Sequence, residues 1–421
     1  MTHFFPPDTT PGAVRPHALA CGLASLGHDV TVLTACCDAV AGEYRLVPVP
    51  YTRAGAHVKQ MAGLEQSTNL AAAASKRSVP TERLVRFIAR NFERLLQHPD
   101  KYKGWIVAVR RWLSTEQAHS LRPDVVLVST PPASAAVAAS ELAKTWDVPM
   151  IWDQRDLWTD NSHYPYGALR RRWDRRSEQR LLEASSAIAT VTQGLANRLR
   201  ERGMPAPVHV IRTGICEPQR TPKGPREPGP LRLGFFGNTY GVRRDLRPVL
   251  RAIETVLNQD LFSADGISFE AWGSIDPAVS AEIDSLRLQS IATVNAMIPR
   301  ALAEQKSMAA DVILCPMWAD DTDAVPLKVI ESLAAGKTLL ITGASPESEL
   351  FQLVADVPGV YICQGDSDIV PALMQMRDRL GTLGTLDYSD PERRQPFSAM
   401  TMAARFAELA CMVIAGRDGG P

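Results

Sequence analysis

Short β-branched runs alternate with longer amphipathic runs along most of the 421-residue chain, and this alternation restricts the fold more than any other feature. Consecutive strands that are joined by helices run in the same direction, so the pattern predicts an α/β fold with parallel sheets covered by helices. The predicted strands are 29–35, 44–49, 124–130, 149–153, 187–192, 208–212, 231–237, 267–273, 292–296, 311–316, 338–343 and 359–364. Helices are predicted over 14–28, 80–96, 168–185, 244–257 and 397–414, and one more starts at Pro326.

A proline-rich stretch divides this pattern into two series. Residues 215–230 hold five prolines in sixteen positions, a density that neither a helix nor a central strand tolerates. We therefore expect a first doubly wound domain over 1–214, a linker over 215–230, a second doubly wound domain over 231–395, and a C-terminal segment, 396–421, that returns to the first domain. Ligands of such domains bind at the carboxyl ends of the strands, so we expect a site in a cleft between the two domains.

Charge and cysteine content exclude several classes of protein. The chain has 46 basic and 46 acidic residues, so no net positive charge attracts nucleic acid. Its seven cysteines include no C-x-x-C pair and are typical of reduced thiols in a cytoplasmic protein. No apolar run reaches the roughly 18 residues of a spanning helix, and we expect no signal peptide. The opening letters MTHFF resemble the tail of a strand, so either the first strand is very short or the natural start lies upstream.

The stretch DDTDAVPLKVIESLAAGK, residues 320–337, holds the strongest candidate for a ligand site. Its proline and its last glycine predict a helix that starts at Pro326 and ends before Gly336. Free amides and the helix dipole favour a diphosphate at that start, and Glu331, one turn further on, is suited to a ribose diol. The candidate donor contacts are Asp323 on the loop above, Val325, Pro326, Leu327, Lys328 and Glu331. The alternative is that Lys328 and Glu331 form only a surface pair at i,i+3 spacing.

The same stretch also contains a D-x-D motif, formed by Asp321, Thr322 and Asp323. Two carboxylates at this spacing can hold a divalent cation against a diphosphate. A metal site needs further ligands, and the sequence offers none at a recognisable spacing, so we expect no metal.

In each predicted domain, one glycine-containing turn follows the first strand. FGNTYGVRRDL, residues 236–246, leads from a strand into a helix, includes Asn238, and offers Arg243 or Arg244 to a phosphate. In the first domain, PDTTPGAVRPH places Gly12, which lets a ligand approach the backbone closely, before Arg15. Neither turn is a G-x-G-x-x-G, so a dinucleotide fingerprint is absent.

A cluster of charged residues among tryptophans follows the strand 149–153. WDQRDLWTDN, residues 152–161, contains Arg155, Asp156, Trp158 and Asp160. Charged groups beside aromatic rings at the carboxyl end of a strand are typical of a binding or catalytic site.

Together these stretches resemble the family-four retaining glycosyltransferases of GT-B fold. WDQRDLWTDN is close to the D-F-R-D-x-W-T-D-N string of one bacterial subgroup, and VPLKVIESLAAGK to its P-x-K-x-x-E-Y-L-A-x-G string. The likeness also includes GAVRPHALACGLASLGHDVTVLT, PDKYKGW, PDVVLVSTPPASA, TVTQGLANRLRERG and FFGNTYGVRRDL, and so it extends over most of the chain.

The resemblance implies a role for each candidate residue. In the E-x7-E pattern of the family, Glu331 takes the ribose position and Asp323 the position that contacts the donor sugar, where this chain has the shorter acid. Either Arg243 or Arg244 takes the place of the basic diphosphate clamp. Asp156, with Arg155, lies where the family places a catalytic-pocket side chain. Further residues implied are Gly12, Asn238 and Met297 on the donor side, and Arg15, Trp158 and Asp160 on the acceptor side.

The family mechanism retains the anomeric configuration and needs no metal or other cofactor. The resemblance implies a front-face displacement in which the acceptor attacks the face that the diphosphate leaves and passes its proton to the departing phosphate. The protein contributes positioning and stabilisation of charge. The nucleotide, UDP or GDP, remains open.

Two acceptors remain open. Residues 76–122 hold eleven Lys and Arg against four acids, and RRRWDRR follows at 170–176, which is suited to peripheral contact with an anionic membrane and a lipid-linked acceptor. We favour a small hydroxyl or thiol acceptor in specialised metabolism, for example a lincosamide-type thioglycoside. A GT-B epimerase acting on a UDP-sugar and a non-catalytic sugar-nucleotide binding protein are the alternatives of another class. We expect a cytoplasmic protein, without a nucleic-acid partner, that either is free or lies at the inner face of the membrane.

Overall fold

The computed structural model describes residues 1–38, 42–51, 97–161, 164–216, 228–318, 322–388 and 390–418. These residues form two compact units. The first unit comprises Met1–Val191, Leu195–Ile211 and Ala403–Pro421, and the second comprises Thr192–Gly194 and Arg212–Met402. The predicted helix 80–96 and residues 217–227 of the proline-rich stretch lie outside the described residues.

The described residues of the first unit form two parallel sheets. Its strands are β1 (Thr31–Thr34), β2 (Arg45–Pro48), β3 (Val126–Thr130), β4 (Met150–Gln154), β5 (Ala187–Thr190) and β6 (Val208–Val210). Its helices are α1 (Pro11–Ser25), α2 (Gly104–Leu113), α3 (Glu116–Ser120), α4 (Ala133–Trp146), α5 (Ala168–Glu183) and α6 (Gln193–Arg200), whose first two residues belong to the second unit. One sheet pairs β1 with β2, and the other has the order β3-β4-β5-β6.

Small side chains explain how closely α4 lies on its sheet. Ala135, Ala136 and Ala139 are fully buried on the helix face that packs against β3. All five residues of β4 are buried, as expected for a strand with helices on both faces. Trp152 on β4 belongs to the same buried cluster as these alanines.

The second unit holds one six-stranded parallel sheet. Its strands are β7 (Leu231–Asn238), β8 (Ile267–Ser274), β9 (Ala292–Asn295), β10 (Val312–Pro316), β11 (Thr338–Thr342) and β12 (Val360–Cys363). Its helices are α7 (Arg247–Asn258), α8 (Pro277–Ser285), α9 (Arg300–Ala309), α10 (Leu327–Ala334), α11 (Glu349–Val354), α12 (Ile369–Leu383) and α13 (Pro391–Arg394). The strand order is β12-β11-β10-β7-β8-β9, so the chain builds one half of the sheet outward from β7 and then returns to build the other half from β10.

The last helix, α14 (Ala399–Asp418), belongs to the first unit from Ala403 onward. The sequence predicted no spanning helix, but Ala399–Arg417 has the length and mean hydropathy of one. This finding rests on length and composition alone. Arg405 and Glu408 interrupt its apolar run, and Phe406 is fully buried in the unit.

The predicted α/β class is confirmed, and each predicted strand is present with its ends shifted by no more than two residues. The predicted first residues of the helices were less accurate. The helix predicted from residue 14 begins at Pro11, and α10 begins at Leu327 rather than at Pro326. Pro326 is instead the cap residue, with the extended dihedrals φ −60° and ψ 138°.

Candidate functional site

The order of the six-stranded sheet reverses between β7 and β10, and ligands of doubly wound folds bind at such a point beyond the carboxyl ends of the strands. The turn after β7 and the helix α10 after β10 meet here. Lys328, in the first turn of α10, reaches back over β7, since a Cβ added at Gly237 would lie 3.1 Å from its Nζ. The structure therefore joins two segments that the sequence offered as separate candidates.

The ammonium group of Lys328 lies in a low-dielectric setting. Its Nζ is 4.2 Å from the centre of the Phe235 ring. Burial lowers the pKa of Lys328 from 10.5 to about 8, and the like charge of Arg244 adds to this effect. A bound anion beside the ammonium would favour its charged form and so offset both effects.

The two arginines after β7 take different positions. Arg244 is half-buried, and its charge acts on both Lys328 and Cys315. Arg243 is exposed, with its guanidinium carbon 4.0 Å from the centre of the Trp318 ring. The sequence could not distinguish them, whereas the structure places Arg244 beside Lys328.

Glu331 accepts a hydrogen bond from Arg300, the first residue of α9. The same guanidinium binds Glu304 at 2.7 Å, so Arg300 lies between two carboxylates. Burial raises the pKa of Glu331, and the charge of Arg300 offsets part of that rise. Sequence reasoning missed Arg300. The available signal was a Pro-Arg pair that starts a helix soon after a predicted strand, at the same sheet edge as Glu331.

The loop before α10 carries three other candidates. Asp323 and Val325 are half-buried, and the loop is tied to α11 because the amide of Glu349 donates to the carbonyl of Thr322 at 3.0 Å. Asp321, the other acid of the D-x-D motif, lies outside the described residues.

The expected diphosphate contact by Pro326 needs correction. Proline has no N–H, and the Pro326 carbonyl accepts from the amide of Val329 at 2.9 Å. Leu327 and Lys328 are therefore the residues whose amides lie at the start of the helix.

Asn238 is the last residue of β7, and Met297 lies two residues beyond the end of β9, with β8 between the two strands. The side chain of Asn238 accepts from the amide of Tyr240 at 2.6 Å and so closes the turn after β7. Met297 follows β9 and is 72% exposed. Asn238 therefore shapes the turn, while Met297 is available at the surface of the second unit.

Two glycines lie near the carboxyl ends of β7 and β8, beside the turn that follows β7. Gly237 and Gly273 have φ values of +150° and +138°, and a Cβ on Gly273 would lie 1.9 Å from the carbonyl oxygen of Gly237. No side chain fits at position 273, so the ends of β7 and β8 approach each other more closely than any other residue would permit.

In the first unit, Arg15 has a structural place rather than the expected acceptor contact. It is 2% exposed, and its guanidinium binds Asp153 at 2.8 Å and the carbonyl of Ile211 at 2.8 Å. Ser129 donates to the same carboxylate at 2.7 Å. The pair is buried and saturated with partners, so it ties α1 to the ends of β3 and β4.

Arg155 is likewise engaged by the protein itself. Its guanidinium donates to the carbonyls of Thr130, Gly12 and Pro131 at 2.9, 2.9 and 3.0 Å. Burial lowers the pKa of Arg155. Through these bonds Arg155 holds the backbone at Gly12 against the loop after β3, and its expected catalytic contact stays a prediction. The neighbouring Asp156 is exposed.

A second ion-pair network holds the end of WDQRDLWTDN. Arg202 binds both Asp160 and the fully buried Glu178, the latter at 3.0 Å. Glu178 also accepts from the backbone of the half-buried Trp158 at 3.3 Å. Burial alone would raise the pKa of Asp160, but its bonds to Arg202 lower it. Asp160 is thus held in an ion pair, its expected acceptor contact stays a prediction, and Glu178 and Arg202 were not among the residues expected at the site.

Comparisons with known proteins agree with this architecture. Residues 12–214 match the model of the Glycosyl transferase 4-like domain. No curated protein matches the chain by sequence. Among solved structures, sucrose-phosphate synthase from Thermosynechococcus elongatus superposes with a TM-score of 0.57 at 14% identity, covering 94% of this chain and 92% of that one. HepE from Anabaena, in complex with UDP and glucose, superposes with a TM-score of 0.58 at 11% identity, covering 97% and 98%.

The sequence match covers the candidate residues of the first unit, and the structural likeness extends over both units. Residues 12–214 thus match a glycosyl transferase 4-like domain, and the structural likeness shows that the chain has the GT-B fold.

Proposed function

We propose that this protein is a retaining, metal-independent glycosyltransferase that moves a sugar from UDP- or GDP-sugar to a small hydroxyl or thiol acceptor. One observation carries the donor half of this proposal. Lys328 and Arg244 place two cations beside the start of α10, and Glu331 presents a carboxylate one turn further along the same helix. A nucleoside diphosphate has this order of groups, with two phosphates next to a ribose diol.

In this proposal, different residues of the second unit bind the diphosphate, the ribose and the sugar of the donor. The amides of Leu327 and Lys328 and the helix dipole face the diphosphate, with the ammonium of Lys328 and the guanidinium of Arg244 beside it. The oxygen of Glu331 that does not bind Arg300 accepts from the ribose hydroxyls. Asp323, on the loop above, contacts the sugar.

The transfer proceeds by front-face displacement. The bond from the anomeric carbon to the diphosphate oxygen breaks, the acceptor oxygen or sulfur bonds to the same face, and the acceptor proton passes to the departing phosphate. Charge builds up on the leaving diphosphate, where Lys328 and Arg244 stabilise it. In this proposal Asp156, exposed on the first unit, keeps the catalytic-pocket role that the resemblance implies.

A thermal-shift panel of UDP, GDP, ADP and TDP tests the donor assignment, because a ligand of the folded state raises the melting temperature. HepE was crystallised with UDP and glucose, which makes UDP the first nucleotide to try. Absence of a shift with every nucleotide would overturn the proposal.

Metal independence and retention need separate experiments. Once a donor and an acceptor are identified, the rate of sugar transfer should be the same with and without EDTA. The proposal assigns the role of a metal beside the diphosphate to two cationic side chains. The anomeric coupling constant in the proton NMR spectrum of the product should match that of the donor. Loss of activity in EDTA that a divalent cation restores would revive the D-x-D motif.

A lipid-linked acceptor is the second candidate, and the outer face of α5 favours it. Four arginines, at 171, 172, 175 and 176, are exposed there, while Asp174 and Glu178 on the same helix are buried. Leu169 and Trp173 are 87% and 46% exposed beside them. Basic residues around exposed apolar side chains suit an anionic membrane. Flotation with phosphatidylglycerol vesicles but not with phosphatidylcholine vesicles, lost in Trp173→Ala, would favour this acceptor over the small one.

A further inference from the structure

His98 connects two side chains of the helix α5. Its Nδ1 lies 2.8 Å from Oδ1 of Asp174, and its Nε2 lies 3.2 Å from the hydroxyl oxygen of Ser177. Asp174 and Ser177 are neighbours at i,i+3 spacing on α5, so one imidazole reaches both across a single helical turn. All three residues belong to the first unit. The order of the groups is therefore carboxylate, imidazole and hydroxyl.

The other partners of Asp174 decide which nitrogen of His98 carries the proton. Asp174 is fully buried and accepts from Arg170 and from the hydroxyl of Tyr164, both at 2.6 Å. A carboxylate held by these donors accepts from Nδ1–H as well, so the lone pair of the neutral imidazole is on Nε2. Ser177 then donates to Nε2, and the imidazole lies where it takes up the hydroxyl proton.

The position of the imidazole is fixed by its neighbours. Arg170 donates to the carbonyls of Gln97 and Pro99 at 3.2 and 3.1 Å, and so ties the backbone on both sides of His98 to α5. The ring of Trp173 stacks on the imidazole, with 4.1 Å between the ring centres and 11° between the planes. The His98 side chain is 22% exposed, so the imidazole is held firmly and still borders the solvent.

The hydroxyl of Ser177 differs from that of Ser185, which lies just beyond the same helix. Ser185 is buried and donates to the carbonyl of Leu181 at 2.8 Å, four residues back, as serines in helices commonly do. Ser177 is half-buried and lies against the imidazole of His98. A serine becomes nucleophilic when a base lies at hydrogen-bond distance and a carboxylate holds the other nitrogen of that base.

We propose that Ser177 is a nucleophile activated by His98 and Asp174, and that it takes an acyl group from a donor whose leaving group is a phosphate. Local charge determines the class of donor. Arg180 is exposed one turn further along α5, on the same face of the helix as Ser177. A cation at this position attracts an anionic donor. The inference does not depend on the proposed function.

The acyl transfer balances with the groups at this site. The Oγ of Ser177 attacks the carbonyl carbon of the donor, and the hydroxyl proton passes to Nε2 of His98. A bond forms between Oγ and the carbonyl carbon, the bond from that carbon to the phosphate oxygen breaks, and the proton leaves Nε2 with the phosphate. The products are O-acyl Ser177 and inorganic phosphate, and the imidazole is neutral again.

Incubation of the full chain with acetyl phosphate, or with the uncharged p-nitrophenyl acetate, tests the proposal. Both donors leave an acetyl group, and mass spectrometry of proteolytic peptides distinguishes acetyl-Ser177 from acetylated cysteines and lysines. The rate of Ser177 acetylation should fall about a hundredfold or more in His98→Gln, the lower end of what a positioned base contributes. Ser307→Ala is the control, since Ser307 is also half-buried but donates to the carbonyl of Glu304, and it should leave the rate unchanged.

Arg180→Gln tests the class of donor separately from the nucleophile. It should slow acetylation by acetyl phosphate about two- to fivefold at low ionic strength, the effect of one exposed charge. Acetylation by p-nitrophenyl acetate should be unchanged, because that donor carries no charge. Equal rates with acetyl phosphate in Arg180→Gln and in the unsubstituted protein would reject the phosphate leaving group.

Two results would overturn the activated serine itself. One is the absence of acetyl-Ser177 with both donors, a measurement on the unsubstituted protein that holds even where His98→Gln fails to fold. The other is an unchanged rate of Ser177 acetylation in His98→Gln whose circular dichroism and melting temperature match those of the unsubstituted protein.

Discussion

Arg300 and Glu331 are 31 residues apart in the chain, yet the guanidinium of the first donates to the carboxylate of the second at the carboxyl edge of the second sheet. The contact engages one oxygen of Glu331, and the proposed function assigns the other oxygen to the ribose. Arg300 is therefore a positioning residue for the acid that the proposed function assigns to the ribose.

Replacing Arg300 by alanine should weaken binding of the preferred nucleotide about tenfold, about 1.4 kcal/mol. Burial already raises the pKa of Glu331, and the cation is the group that opposes this rise. Isothermal titration calorimetry at neutral pH measures the loss, and Arg300→Lys should recover part of it. Unchanged or tighter binding by Arg300→Ala would mean that the arginine competes with the ribose instead of orienting its partner.

Glu331→Ala should weaken nucleotide binding more than Arg300→Ala does, by roughly ten- to hundredfold. The reason is that hydrogen bonds to a charged acceptor contribute about 1.5 to 3 kcal/mol. Glu304→Ala is the matched control because Glu304 binds the same arginine but is 59% exposed. The nucleotide affinity of Glu304→Ala should remain within about twofold of that of the unsubstituted protein. Equal effects of the two substitutions would remove Glu331 from the donor site.

Nucleotide affinity should depend on pH through Lys328. Its pKa of about 8 in the free protein means that it is charged below pH 8 and neutral above it. A bound diphosphate favours the charged form, so binding takes up a proton above pH 8 and the affinity falls by up to tenfold per pH unit as the pH rises. Titrations from pH 6.5 to 9.5 should show this decline, and Lys328→Arg should flatten it. A flat profile for the unsubstituted protein would contradict the assignment.

The buried pair of Arg15 and Asp153 should be important for the stability of the first unit. Arg15→Ala leaves a buried carboxylate without its cation, which costs about 3 to 5 kcal/mol. Arg251→Ala breaks the exposed pair with Glu282 and should cost less than about 1 kcal/mol. Urea unfolding followed by tryptophan fluorescence compares the two. Similar midpoints would show that the Arg15 pair carries little of the stability.

Gly273→Ala tests the close approach of β7 and β8. Its Cβ would overlap the carbonyl of Gly237, so we expect a loss of about 3 kcal/mol or more in stability, with weaker nucleotide binding. Gly381→Ala is the control, since nothing lies within 4 Å of a Cβ there and the residue is inside α12. That substitution should stabilise by a few tenths of a kcal/mol to about 1 kcal/mol.

Many elements of the fold were readable from local pattern. Runs such as 312–316 and 338–342 are apolar and β-branched because both faces of a parallel strand are buried, and they are strands in the structure. The helix that contains Lys328 and Glu331 was also visible, although its start was displaced by one residue. Spacing along one helix is fixed by the helix itself, so the relation of these two side chains was predictable.

The partners of individual charged side chains were not predictable from the sequence. Arg15 and Arg155 sit in motifs that favour ligand contact, yet the first is buried against Asp153 and the second binds three carbonyls. A guanidinium in a loop has the same sequence signature whether it meets a ligand or the protein's own backbone.

The sequence by itself therefore determined the parallel α/β architecture, the position of the strands and the helix that carries the donor candidates, because these follow from interactions between residues that are near in the chain. Only the tertiary structure decided that Arg244 accompanies Lys328, that Arg300 holds Glu331, and that Arg15 is a core residue. Arg15 and Asp153 are separated by 138 residues, and no periodic pattern connects positions so far apart until the sheet brings them together.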